Sequence, residues 1–124
     1  KPAVAIRWLF GIQATPPAVW TGGNHDQEDA MVHVMAHVEA RPESVEAARR
    51  VFDALLAPSR AEPGCIDYQV FEDGTQPGRF VTVECWADTA AFDAHMASAH
   101  VAAAFAAAQD LLAQAPHIAP YHRR

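Results

Sequence analysis

The stretch CIDYQVFEDGTQPGRFVTVECW, Cys65 to Trp86, decides the fold. It reads as two strands, Cys65 to Glu72 and Arg79 to Trp86, because apolar and polar residues alternate on both sides of a polar turn. In the first strand Ile66, Tyr68 and Val70 share one side; in the second, Phe80, Thr82, Glu84 and Trp86 do. Asp73-Gly74 and Pro77-Gly78 supply the turn residues that a hairpin needs.

Upstream, Val32, Val34, Ala36 and Val38 alternate with Met31, His33, Met35 and His37, which predicts a strand with apolar character on both faces. Arg41-Pro42-Glu43-Ser44 marks a helix start, and Val45, Ala48, Phe52, Leu55, Leu56 and Ser59 form one stripe at helical spacing. Pro58 is expected to kink or end that helix. Pro63-Gly64 separates it from the hairpin.

Downstream, Asp88 or Thr89 caps a short helix running through Met96, and Ser98 caps a second one through Gln114, with Val101, Phe105, Ala108 and Leu112 inward. His117 to His122 reads as a last strand, which Pro120 places at an edge or a bulge. The order strand, helix, strand, strand, helix, strand is the split βαβ pattern of an α+β, ferredoxin-like domain with an antiparallel sheet. Helices on one face leave the other face to be covered, and a homodimer is the simplest source of cover.

A chain of 124 residues with 51% hydrophobic content suits one compact domain. A formal charge of −6 and nine scattered Lys and Arg residues argue against a nucleic-acid partner. Cys65 and Cys85 form no Cys-x-x-Cys pair, so neither a zinc site nor a disulfide framework is expected from them, and a reducing cytoplasm fits.

Residues 1–30 differ in character, with Pro2, Pro16, Pro17, Gly22-Gly23 and the acidic run Asp26 to Asp29. Val4 to Ile12 is apolar but interrupted by Arg7, and it falls short of the roughly 20 residues that span a bilayer, so no membrane is expected. Lys1 ahead of that patch also suits a processed leader, the less favoured reading. Residues 1–30 are read as an N-terminal extension whose Ile6, Trp8, Leu9 and Phe10 suit an interface arm, and 31–124 as the domain, with Met31 placed as a natural start.

Several landmarks now stand in order. They are the strand from Met31 to Val38, Arg41-Pro42 before the helix, Glu62-Pro63-Gly64-Cys65 followed by Tyr68, Glu84-x-Trp86, His95, and Ser98-x-His100. In these the chain resembles the antibiotic biosynthesis monooxygenase (ABM) domain, particularly its quinol-monooxygenase-like bacterial members, over about residues 31–122. The resemblance implies a dimeric α+β barrel with a pocket between sheet and helices in each subunit. It also implies cofactor-independent oxidation, by dioxygen, of a phenolic, hydroquinone or anthrone-like small molecule. Similar domains include haem-degrading enzymes, isomerases and members without assigned activity, so the reaction stays open, and a non-catalytic small-molecule binding or stress-associated protein of this fold is the alternative.

The residues themselves narrow the site. Glu84, among Phe80, Thr82 and Trp86, needs a partner, which His95 or His100 can provide; the pair then either handles a proton or simply ties helix to sheet. On one continuous helix His95 and His100 would stand about 140° apart, so they converge only if the chain breaks near Ser98. His100 would then sit in the first turn of the next helix, either as a base or as a packing residue. Glu84, His95 and His100 are the catalytic candidates.

Tyr68, Trp86, Phe92 and Phe105 are candidates for substrate contact or for core packing. His33 and His37, about 13 Å apart along one strand face, cannot share a metal ion unaided; they line the pocket or the barrel, or face solvent. Arg60 and Arg79 suit either an anionic substrate group or surface ion pairs. No metal and no cofactor are expected. Haem would need an axial imidazole on the second helix with a polar residue on the first strand, for which the chain could offer His95 or His100 with His33 or His37, and the closer likeness to quinol-type members argues against it.

Overall fold

The computed structural model describes residues 30–124; the N-terminal arm expected over 1–30 lies, except for Ala30, outside the described residues. Four strands, β1 (Val32–Glu39), β2 (Cys65–Glu72), β3 (Arg79–Trp86) and β4 (His117–Tyr121), form one antiparallel sheet in the order β2-β3-β1-β4. Three helices, α1 (Val45–Arg60), α2 (Thr89–Met96) and α3 (Ala99–Ala108), complete the α+β ferredoxin-like fold. Among the described residues no helix is long and apolar enough to cross a membrane.

Period-two patterning sorts the sheet into two faces. Val32, Val34, Ala36, Tyr68, Phe80, Thr82, Glu84 and Trp86 are buried, and Val32, Val34, Tyr68, Phe80 and Trp86 pack with Ala48, Phe52, Leu55 and Val101 of α1 and α3. Phe52 and Phe80 stack with ring centres 4.7 Å apart. The opposite face carries His33, Met35 and His37 of β1 opposite Cys85, Val83 and Val81 of β3.

Local chemistry sets the boundaries. The Asp73 carboxylate accepts from the Thr75 and Gln76 N–H groups in the hairpin turn. Asp88 caps α2 by accepting from the Ala91 N–H, and Ser98 caps α3 by accepting from the Val101 N–H. Arg49 on α1 grips both carboxylate oxygens of Glu72 on β2, at 2.8 and 2.9 Å. That pair joins the first helix to the edge strand.

Two sequence expectations need correction. The helix from Ser98 ends at Ala108 rather than Gln114, because the following backbone is taken up by the end of β1: Arg41 N–H donates to Leu111 O and Ala113 N–H to Glu39 O, each at 2.8 Å. Ile66 does not share a side with Tyr68, since a register shift between Cys65 and Asp67 turns it outward, 51% exposed. Pro58 lies inside α1, which ends two residues later at Arg60. So close to the terminus the missing proline N–H costs a single ladder bond.

Candidate functional site

The site is built around the α2–α3 break. The backbone leaves helical geometry at Ser98 (φ −73°, ψ 158°), and the Ser98 hydroxyl both donates to His95 O at 2.6 Å and caps α3. This turn brings His95, from the end of α2, and His100, from the start of α3, onto one carboxylate, that of Glu62. His95 Nδ1 lies 2.7 Å and His100 Nε2 2.6 Å from the same Glu62 Oε2, and Ser98 Oγ is 3.3 Å from His100 Nε2. With Glu62 ionised, both imidazole nitrogens donate N–H to it.

Glu62 stands between α1 and β2, and its position depends on Gly64. Gly64 adopts φ +85°, and a Cβ there would come within 2.6 Å of Ala91 Cβ on α2, so only glycine lets the loop lie this close. The Ala87 N–H donates to Gly64 O at 2.8 Å and fixes the loop against the end of β3.

On the other side of His95 lies Glu84, 5% exposed on the helix-facing side of β3. The Trp86 indole N–H donates to its Oε1 at 2.9 Å and the Thr82 hydroxyl to its Oε2 at 2.6 Å, while Thr82 accepts the Ala36 N–H. His95 Nε2 is 4.0 Å from Glu84 Oε1. Burial pushes the Glu84 carboxyl above its ordinary range, although His95, Thr82 and Trp86 all act against that rise. Burial also raises the Tyr68 phenol, with the Glu84 charge adding to the effect. The His95 ring rests on Trp86 at 4.5 Å between centres, with Tyr68 at 5.5 Å.

A narrow cavity of about 90 Å³ opens beside this group, between the sheet and helices α1 and α3. Glu84, His95, Tyr68 and Thr82 are the polar-bearing side chains in a wall otherwise made by residues such as Phe52, Leu55, Met96 and Phe105. That composition suits an apolar molecule with one or two hydroxyl or carbonyl groups.

The expected residues therefore part company. Glu84, His95, Tyr68 and Phe105 line the cavity. Trp86, fully buried, stands behind His95 and Glu84, and Phe92 lies 6.4 Å from the His95 ring without reaching the cavity lining. His100 stands on the outer side, on Glu62. His33 and His37 lie on the opposite sheet face, where His37 Nε2 is 3.4 Å from the Tyr121 hydroxyl. They cannot join His95 or His100 around one haem, since the sheet separates them.

Arg60 donates to Tyr68 O at 2.9 Å, and Arg79 is exposed at the sheet end; neither lines the cavity. Both cysteine thiols are pushed up, chiefly by burial, as inert thiols are. Two polar residues of the site, Glu62 and Thr82, were not among the sequence candidates. Glu62 precedes the Pro63-Gly64 turn, and a charged residue beside a turn that must hold a fixed left-handed glycine is the signal that could have found it.

The fold agrees with comparisons to known proteins. Residues 31–107 match the family model for antibiotic biosynthesis monooxygenase, and the chain belongs to that family. It is 33% identical over 82 residues to YcnE of Bacillus subtilis, which carries a provisional monooxygenase name, covering 66% of this chain and 86% of YcnE. It is 31% identical over 93 residues to sll1783, an uncharacterized protein of Synechocystis sp., covering 75% of this chain and 63% of that relative, just under two thirds of its length. The crystal structure of PA3566 from Pseudomonas aeruginosa superposes with a TM-score of 0.72 at 32% identity, covering 77% of this chain and 95% of that one.

Proposed function

We propose that the protein is a cofactor-independent monooxygenase that oxidises a small phenol or hydroquinone with dioxygen, and that His95 is its base. The observation that carries this reading is the clamping of His95. Glu62 holds the ring through Nδ1, which leaves Nε2 with its lone pair turned toward Glu84 and the cavity wall. Nε2 takes the substrate's proton, and the Glu62 carboxylate stabilises the imidazolium that forms. The resulting anion gives one electron to dioxygen, the superoxide and the ring radical combine at a C–H carbon ortho or para to the oxygen, and the His95 imidazolium returns its proton to give a hydroperoxide. Glu84, whose carboxyl burial pushes upward, can in its neutral form donate a hydrogen bond to the developing peroxide, and loss of water, which takes the hydrogen of that carbon, leaves a carbonyl on the product.

A homodimer belongs to the same proposal. Among the described residues no helix covers the sheet face with Met35, Val81 and Val83, and with Phe71 55% exposed, and a second copy would bury it.

Oxygen uptake with a one-ring hydroquinone, menadiol and an anthrone tests the reaction. His95→Gln should abolish uptake, and Glu84→Gln should lower it; unchanged uptake in His95→Gln would sink the mechanism. A second reading, a non-catalytic small-molecule binder, is favoured by how deeply Glu84 and His95 are enclosed, at 5% and 3% exposure. Saturable binding of the hydroquinone without oxygen uptake would establish it instead.

A further inference from the structure

We infer that Glu62, His95 and His100 form a binding site for a divalent first-row transition ion, Zn²⁺ best of all, and that the bound ion switches off the His95 base. The second half rests on the function proposed above; the first does not.

Three observations carry the site. The ligand atoms Glu62 Oε2, His95 Nδ1 and His100 Nε2 lie within 4.8 Å of one another. They come from three segments, the loop before β2, the end of α2 and the first turn of α3, so their convergence is set by the packed fold. Two imidazoles and one carboxylate are a borderline-soft set that suits zinc, cobalt, nickel or copper and disfavours magnesium or calcium; three protein ligands leave a fourth position for water.

The fit needs a modest rearrangement of the three ligands. Zinc–nitrogen and zinc–oxygen bonds of about 2.0–2.2 Å place ligand atoms roughly 3.3 Å apart around a tetrahedral ion. The present contacts of 2.7 and 2.6 Å must therefore open by well under an ångström, and the two imidazole nitrogens, which lie within 4.8 Å of each other, must close toward that spacing. The side chains of His100 and Glu62, 24% and 13% exposed, give the ion an entry from solvent, whereas His95 at 4% is held in place.

The far side of His95 completes the arrangement. A ligating imidazole characteristically turns its second N–H to a carboxylate, which fixes the tautomer. Here Nε2 faces Glu84 Oε1 at 4.0 Å. An ion at Nδ1 displaces the proton from that nitrogen, and the neutral ring then carries its proton on Nε2. A ring in that state has no lone pair left for substrate. Ion binding and base function are mutually exclusive, so the ion acts as an inhibitor and not as a cofactor.

The experiment uses the full chain after chelator treatment, with Zn²⁺ in equilibrium dialysis and Co²⁺ as the spectroscopic probe. One tight equivalent per chain is expected, lost in His100→Ala and weakened at least tenfold in Glu62→Gln, but unaffected by the exposed-face double variant His37→Ala, His117→Ala. Nitrogen NMR of His95 should show the proton move from Nδ1 to Nε2 as zinc binds, whether or not the protein turns over substrate. Oxygen uptake should fall in step with occupancy and return with chelator. No stoichiometric binding, or binding that survives both His100→Ala and Glu62→Gln, overturns the site. Binding with His95 still protonated on Nδ1 overturns the switch. Stoichiometric binding with the tautomer change, in a protein that never consumes oxygen, upholds the site and removes only the proposed reaction.

Discussion

His95 Nε2 lies 4.0 Å from Glu84 Oε1, while the opposite nitrogen of the same ring is held by Glu62 at 2.7 Å. One imidazole thus spans two carboxyl groups of different character. Glu62 is partly exposed and bound by two N–H donors, whereas Glu84 is buried and raised toward its neutral form. The difference between the two environments separates an anion that orients the ring from an acid that faces the cavity.

Glu62→Gln tests the orienting role. Glutamine keeps the shape, and its amide oxygen in the place of Glu62 Oε2 can still accept from both imidazoles, so stability should change by less than about 1 kcal/mol. Oxygen uptake should nevertheless fall by roughly tenfold to a hundredfold, because the charge that steadies the imidazolium is gone. A variant with full activity would show that the carboxylate only packs.

Stability should depend on pH with opposite signs at two glutamates. The Glu84 carboxyl is raised on folding, so the folded state binds more protons above the ordinary value of 4.5, and its contribution is lost as pH rises through the folded value. The Glu72 carboxyl is lowered, first by Arg49, so its contribution is present above 4.5 and lost as pH falls through the folded value. Thermal unfolding from about pH 3 to about pH 8 should show a flatter alkaline limb in Glu84→Gln and a flatter acid limb in Glu72→Gln. Limbs that stay parallel to the parent protein's would contradict both assignments.

Gly64→Ala should lower the melting temperature and the oxygen uptake together. The new methyl meets Ala91 Cβ at 2.6 Å on a backbone at φ +85°, which costs on the order of 1–3 kcal/mol and shifts the loop that presents Glu62. Gly74→Ala, with nothing within 4 Å of the added methyl, is the control and should behave like the parent.

Trp86→Phe removes the indole donor to Glu84 Oε1 and leaves a gap beside His95. A loss of roughly 1–3 kcal/mol in denaturant unfolding is expected, and a change within error would mean the indole nitrogen does no structural service to the carboxyl.

Val83→Asp on the open sheet face should give a folded monomer by light scattering if two copies cover that face. An unchanged molar mass, whether of one chain or of two, would show that the association does not run through it.

Much of the fold is legible in the sequence because its strands carry their own periodicity. Val32, Val34, Ala36 and Val38 recur at every second position, Asp73-Gly74 and Pro77-Gly78 mark the hairpin turn, and Asp88 and Ser98 announce their helices by capping chemistry. The α2–α3 break needed by His95 and His100 is legible for the same reason, since Ser98 is a poor residue to bury mid-helix and a good one to begin a helix. Ile66 and the end of α3 are not legible. A bulge and backbone bonds to Glu39 and Arg41 are tertiary events with no local signature. Glu62 escapes for a related reason: its importance lies in where two distant imidazoles happen to arrive, and its own neighbourhood reads as an ordinary turn.

The break at Ser98 also makes chain length a determinant of the site. One residue added between His95 and Ser98 would leave every functional side chain in the sequence, yet turn α3 by about 100° relative to α2 and carry His100 off Glu62. Substitutions at this junction are gradual changes, but insertions and deletions are all-or-nothing ones. The spacing between the two histidines is thus as much a part of the chemistry as the histidines are.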